Sequence, residues 1–289
     1  MYIMRNNEKE WNKLIPEDEV YEKLTLKNDF IFGKVMQNKD VCIELINLLT
    51  GNEIDDNVNI NNQKPVKITS DSKGVRYDVY VEDEKNIYDA EMQNSSDRIE
   101  LPRRTRYYQG MIDLNLLESG GEYTELKNSY VIFICTYDPF EENLSCYKFE
   151  NLCVGKKNLP LADGRTILIF NTKGKCKNVS LEVRQFLEYV ETSAVTNDFL
   201  RKLDDEVKKA RENKEWRLEY MKTWVREMDI RNEAREEGRE EGREEGIDSE
   251  RIRIIEIKLQ KGKTLEEIAS EMELDVCEIK DIYNNIKCN

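Results

Sequence analysis

Two short stretches of the chain alternate apolar and polar residues with period two. In residues 75–82 (VRYDVYVE), Val75, Tyr77, Val79 and Val81 alternate with Arg76, Asp78, Tyr80 and Glu82. In residues 86–93 (NIYDAEMQ), Tyr88, Ala90 and Met92 form one face and Ile87, Asp89, Glu91 and Gln93 the other. Period two marks a strand with one buried face. A tight hairpin with Glu84-Lys85 at its tip sets Asp78 directly opposite Glu91, with both side chains on one face. Residues 129–137 (SYVIFICTY) are continuously apolar and rich in β-branched and aromatic residues, which predicts a buried central strand, and residues 166–171 (TILIFN) predict another. A short strand is expected at Val66-Lys67-Ile68-Thr69, after a polar loop over 52–64.

Helical patterns flank these runs. Residues 27–50 read as two helices, carrying Phe30, Val35 and Met36, then Val41, Ile43, Leu45, Ile46, Leu48 and Leu49, and stopping at Gly51. Pro102 stands at a first-turn position, and its helix is expected to run to the Gly120-Gly121 stop. The succession of helices, hairpin, helix and buried strands predicts an α/β fold with a mixed central sheet.

The last third is patterned differently. From Leu200 to Gly246 it is charged, and Ala234, Gly238, Gly242 and Gly246 recur at every fourth position of EAREEGREEGREEG. One reading is a helix whose small residues form a stripe for close approach to a partner helix, supported by the i,i+3 pairs Glu236–Arg239 and Glu240–Arg243. The other is a flexible polar linker. Residues 250–287 hold three amphipathic segments, and Thr264 with Glu267 and Asp275 with Glu278 read as capping boxes. This is helix-turn-helix-like, but Lys280 and Lys287 beside Glu278 and Asp281 are thin for phosphate contact, so protein docking or oligomerisation is an equal reading. The expected organisation is a polar arm over 1–24, a core over 25–199, a charged helix or linker over 200–249 and a small helical module over 250–289.

Composition narrows the chemistry. The 289 residues include no histidine, which excludes Ser-His-Asp and Cys-His catalysis, C2H2 fingers and HExxH metalloproteases together. Carboxylate chemistry remains. The seven cysteines are scattered without a CxxC pair and read as reduced thiols. With no transmembrane run and no apolar stretch near the N-terminus, the expectation is a cytoplasmic chain with no membrane partner. The net charge of −14 argues against a generally basic nucleic-acid coat, so charge has to be read locally.

Locally, two clusters stand out. Asp78 and Glu91 on one face repel unless a cation lies between them, and oxygen ligands suit a hard divalent ion. Asp29 reads either as a further carboxylate for that ion or as the cap of its helix. Asp89, two residues from Glu91, reads as an outer or surface residue. Arg98, Arg103, Arg104 and Arg106 gather at the start of the Pro102 helix, with Tyr107 and Tyr108 behind them. Cations there oppose the helix dipole, at a cost of about 0.3–1 kcal/mol each when exposed, so an anion such as phosphate is one explanation. The other is a solvated basic turn, with Tyr107, Met111 and Leu114 as ordinary core.

Asp78 followed by Glu91-Met92-Gln93 resembles the D…(E/D)-x-K arrangement of the PD-(D/E)XK nuclease superfamily, with Gln93 in the lysine position. Lys27-Asn28-Asp29-Phe30-Ile31-Phe32 is similar to an opening D-x-x-F helix, Arg104-Thr105-Arg106-Tyr107-Tyr108 to an R-x-x-Y-Y helix, and the Glu-Glu-Gly-Arg repeat to the tail of the Rpn group of recombination-promoting, transposase-like nucleases. The resemblance covers roughly residues 25–250. It implies a restriction-endonuclease-like core with a helical C-terminal extension, and a metal-dependent DNA endonuclease linked to recombination or mobile elements. Asp78, Glu91 and Gln93 would be catalytic, and Asp78, Glu91 and the Met92 carbonyl would hold Mg²⁺ or Mn²⁺. Arg103, Arg104, Tyr107 and Tyr108 would contact DNA. Apart from the resemblance, the glycine stripe and the terminal helices read as association surfaces of a homo-oligomer. The alternative is a non-catalytic nucleic-acid-binding or interaction module that keeps the fold without the lysine.

Overall fold

The computed structural model describes residues 18–54, 58–66, 74–94, 98–117, 119–176 and 178–288. Two compact units divide the chain between Met221 and Lys222. The first begins with helices α1 (Asp18–Glu22), α2 (Asp29–Val35) and α3 (Lys39–Thr50), then strands β1 (Asn59–Val66), β2 (Val75–Glu82) and β3 (Asn86–Gln93). Helix α4 (Glu100–Leu116) leads to β4 (Asn128–Cys135), β5 (Cys146–Phe149) and β6 (Arg165–Asn171). Helices α5 (Leu181–Thr192), α6 (Asp198–Glu212) and the start of α7 (Lys214–Gln260) complete it.

The α2–α3 pair forms as its pattern predicts, and each helix has an Asn at its N-cap: Asn28 accepts from Ile31 N–H and Asn38 from Val41 N–H. Gly51 closes α3 in the left-handed conformation at φ 74°, where a side chain would be strained. Helix α4 contains Pro102 in its first turn but ends at Leu116, short of the two glycines.

The strands form one mixed sheet in the order β1-β2-β3-β4-β6-β5. Strands β3, β4 and β6 run parallel, and the outer pairs are antiparallel. The hairpin register is the expected one from Val79↔Ala90 to Glu82↔Ile87. Asp83 holds the turn, its carboxylate accepting from the N–H groups of Lys85 and Asn86 at 2.7 Å each. Strand β4 is central and buried, as its apolar run requires.

Two strands depart from the sequence reading. The segment 52–64 contains most of β1, which ends at Val66; Lys67 to Thr69 lie outside the described residues. An edge strand bonds through its backbone to one neighbour and does not need apolar side chains, and Pro65 fits such an edge. The short edge strand β5 carries too few residues for a periodic signal.

Each sheet face has its own core. One packs α2, α3, α5 and α6 on Val79, Val81, Tyr88, Ala90, Met92, Ile132 and Ile134. The other packs Leu101, Tyr108, Met111 and Ile112 of α4 on Tyr77, Tyr80, Ile87, Val131 and Phe133. The single buried face expected for β2 is thereby divided: Tyr77 joins Tyr80 on the α4 side, their rings 5.6 Å apart, whereas Val79 and Val81 point the other way. The change of face falls at Asp78, whose rung is skipped in the pairing with both neighbouring strands.

Helix α6 is part of the main core. Its Leu200, Leu203, Val207 and Ala210 are buried there, and Trp216 and Tyr220 pack against it, so the unit extends well past the boundary expected at residue 199. The charged composition hid this because only one face of α6 is apolar.

In the second unit, α7 continues as helix through the glycine repeat. Of the two readings of that segment, helix holds. A Cβ at Gly238, Gly242 or Gly246 would meet nothing within 4 Å. Ile255 then packs with Ile268 and Ala269 of α8 (Leu265–Met272) and Ile279 of α9 (Val276–Cys288), and Thr264 and Glu267 form the expected capping box. Among the described residues no helix is long and apolar enough to cross a membrane.

Candidate metal and phosphate site

The parallel strands place Gln93, Cys135 and Asn171 side by side at their C-terminal ends. Open α/β sheets bind ligands at that edge. Here β2 separates from β3. Instead of exchanging backbone hydrogen bonds across a rung, Asp78 and Glu91 exchange bonds through their carboxylates: Asp78 N–H donates to Glu91 Oε1 at 2.8 Å, and Met92 N–H donates to Asp78 Oδ2 at 3.3 Å. The two acids therefore meet as the register predicts, although the rung expected between them is opened.

Both carboxyls are driven toward the protonated form. Burial raises the Asp78 pKa, and the charge of Asp29 adds to it, against the Met92 N–H, Arg76 and Arg104. Burial also raises the Glu91 pKa, and the charge of Asp78 adds to it, against the Asp78 N–H and Arg104. The expected surface position of Asp89 is wrong. Asp89 is 0% exposed, and neither of its carboxyl oxygens has a hydrogen-bond partner. Burial, then the Glu91 charge, hold its pKa well above the ordinary value. It faces the α4 side with Glu91 and Gln93, as strand alternation requires, and α4 covers that face.

Asp29 is not the helix cap, which is Asn28. Asp29 Oδ1 accepts from Phe30 N–H at 2.8 Å. Among the described residues, no group of three or more Asp, Glu or Cys side chains converges on a metal position. The donor set is thus two carboxylates with the backbone beside them. It suits a hard divalent ion, because both ligands are oxygen and a cation would relieve a buried acid pair that nothing on β2 or β3 neutralises fully.

Helix α4 brings a positive charge to Glu91. Arg104 Nη1 donates to Gln93 Oε1 at 2.6 Å, and Nη2 donates to the Tyr108 hydroxyl at 3.0 Å and lies 3.7 Å from Glu91 Oε2. The guanidinium sits over the rings of Tyr108 and Phe133 at 5.4 and 5.3 Å. The Tyr108 hydroxyl lies 3.5 Å from Glu91 Oε2, and its ring packs edge-on against Tyr77. Arg104 and Tyr108, expected to face nucleic acid, are directed into the acid site.

The rest of the basic start lies at the surface. Arg98 pairs with Glu141. Arg103, Arg106 and Tyr107 are exposed, and so is Leu114, so the ordinary-core reading of Tyr107 and Leu114 does not hold. The apolar residues by which α4 faces the sheet are Leu101, Tyr108, Met111 and Ile112. The sequence reading missed the pairing of Arg104 with Gln93; the spacing of Arg104 and Tyr108, one helical turn apart, was the available signal.

Comparison with known protein families matches residues 26–252 to the family described as PD-(D/E)XK nuclease family transposase. No curated protein and no solved structure matches the chain.

Proposed function

Because this chain belongs to the PD-(D/E)XK nuclease family transposases, we propose that it is a divalent-metal-dependent DNA endonuclease, hydrolysing phosphodiester bonds in recombination or in the movement of mobile elements. The observation that carries this reading is the carboxylate exchange between Asp78 and Glu91, which brings a half-buried and a buried acid to one point at the edge of the parallel strands.

Asp78, Glu91 and the Met92 carbonyl would hold Mg²⁺ or Mn²⁺. A cation held by these groups would lower the pKa of a water bound to it and offset negative charge on the phosphate oxygens. Arg104 points its guanidinium toward the place where a phosphate oxygen gathers charge, and Gln93 and Tyr108 fix its direction. Gln93 cannot supply a cation or a base, so Arg104 provides the positive charge that a lysine at position 93 would carry. With glutamine at position 93 in place of a lysine, the proton of the attacking water would leave to bulk water or a substrate oxygen, and slow turnover is expected.

Asp29 acts on Asp78 through its charge. Arg103 and Tyr107 extend the site outward along α4 toward DNA. The glycine face of α7, open on its own chain, supports pairing of C-terminal helices in a homo-oligomer, which light scattering of the full chain tests. A DNA substrate fits a cytoplasmic site of action.

Nicking of supercoiled plasmid by the purified chain with Mg²⁺, Mn²⁺ or Ca²⁺ tests the reading. Cleavage with Mg²⁺ or Mn²⁺ is expected. A folded chain that binds DNA but never nicks it is instead the non-catalytic module.

A further inference from the structure

Beside the acid site, on the α4 side, lies a cavity of about 490 Å³. Its charged lining is Arg76 from β2 and Glu100, Arg103, Arg104 and Arg106 from α4, with the Tyr107 ring among the walls. Four guanidiniums therefore surround one carboxylate, in a chain that carries 59 acidic side chains against 45 basic ones. Arg104 bonds within the acid site, and Arg76 acts on Asp78 through its charge. Among the described residues Arg76, Arg103 and Arg106 form no ion pair, although their side chains are exposed on a strongly acidic protein. Arginines gathered round one cavity without carboxylate partners call for an anion. Guanidinium forks match phosphate in particular.

The size of the cavity restricts what that anion is. Its volume is in the range of pockets for a single small ligand. That is room for one nucleotide. Tyr107 adds an aromatic surface on which a base can stack, and stacking of this kind accepts any base. Arg104 and Tyr108 line the cavity and also touch Gln93 and Glu91, so its occupant lies next to the phosphate at the acid site.

We propose that this cavity holds one unpaired nucleotide adjacent to the scissile phosphate, with Arg76, Arg103 and Arg106 on its phosphate and Tyr107 against its base. The proposal rests on nucleic acid being the substrate. It specifies the substrate class further: DNA with an unstacked or unpaired nucleotide at the cut, as at a bulge, a flap or a single-strand junction. Fully paired DNA has to unstack a nucleotide first, at a cost of a few kcal/mol.

The test is fluorescence anisotropy of the full-length Asp78→Asn chain, without divalent metal, on two labelled duplexes that differ only in one unpaired nucleotide. The bulged duplex is expected to bind at least about tenfold more tightly. Arg103→Ala and Arg106→Ala should each remove most of that preference, and Arg103→Lys and Arg106→Lys should keep part of it, because lysine retains charge without the fork. Both positions are exposed on α4, so the fold tolerates the changes. Equal affinity for the two duplexes, or a preference that survives both alanine variants, overturns the proposal. Wild-type nicking is scored separately. Nicking without preference for the bulge removes the cavity proposal and keeps the nuclease, whereas arginine-dependent preference without nicking keeps the cavity and removes the nuclease.

Discussion

The Arg104 guanidinium donates to Gln93 Oε1 at 2.6 Å from a helix lying over the strand that carries Gln93. The two residues are 11 apart in sequence, and only the packing of α4 on the sheet joins them. The contact gives Gln93 a partner whose charge it lacks, and sets that charge 3.7 Å from Glu91. An arginine held this way is oriented before substrate arrives, as electrostatic stabilisation requires.

Removing this charge should reduce cleavage without unfolding the chain. Arg104→Ala is expected to lower the nicking rate by about 10²–10³-fold, the usual effect of losing one preorganised donor. Gln93→Lys alone should lower the melting temperature, because it sets an ammonium against the guanidinium. The double variant Arg104→Ala with Gln93→Lys should recover part of the lost rate. A double variant no faster than Arg104→Ala would show that Arg104 serves packing alone.

Asp78→Asn and Glu91→Gln should each abolish metal-dependent nicking and leave the fold intact, since each amide keeps an oxygen for the N–H it accepts. In thermal unfolding, Mn²⁺ at a hundredfold excess over Kd should stabilise the wild type by about 2.7 kcal/mol. Neither variant should respond comparably. An equal response in all three proteins places the cation elsewhere.

The same acids set a pH dependence for the metal-free chain. Their folded pKa values lie above the unfolded ones, so the folded state binds more protons. Their contribution to stability is full below the ordinary carboxylate range and is lost as pH rises through the raised values. Urea unfolding in chelator should show stability falling across that window, and a shallower fall in Glu91→Gln.

Glu191 behaves in the opposite sense. Burial opposes its charge, but Lys173, Lys27 and Thr172 bind the carboxylate and bring its pKa down to about 2. Its contribution is present above the ordinary carboxylate pKa and lost as pH falls toward the lowered value. Glu191→Gln is expected to cost on the order of 1–2 kcal/mol at neutral pH after solvent screening, and nearly nothing at the acid end. A cost independent of pH would assign Glu191 a purely steric role.

Truncation separates the units. A chain ending after Asp198 loses Leu200, Leu203, Val207 and Ala210 from the main core and should not fold, whereas one ending near Met221 should keep a cooperative unfolding transition. If the shorter chain unfolds as cooperatively as the longer, α6 is dispensable to the core.

The sequence by itself determined the chemistry available and the local geometry of the hairpin. A chain without histidine leaves carboxylates to do the work, and alternation with a two-residue tip sets Asp78 near Glu91, because strand period and turn length are local properties. The central strand β4 was legible for the same reason: Val131 to Cys135, five consecutive residues buried on both faces, have to be apolar. Tertiary structure decided the rest. A polar segment became the edge strand β1 because backbone pairing with β2 suffices there. A charged segment became core because one face of α6 meets the sheet's helical layer. Asp89 was buried, and Arg104 and Tyr108 were turned from solvent toward the acids, because α4 lies across that face. No local pattern records which helix covers which strand, since that choice is made by contacts between residues distant along the chain.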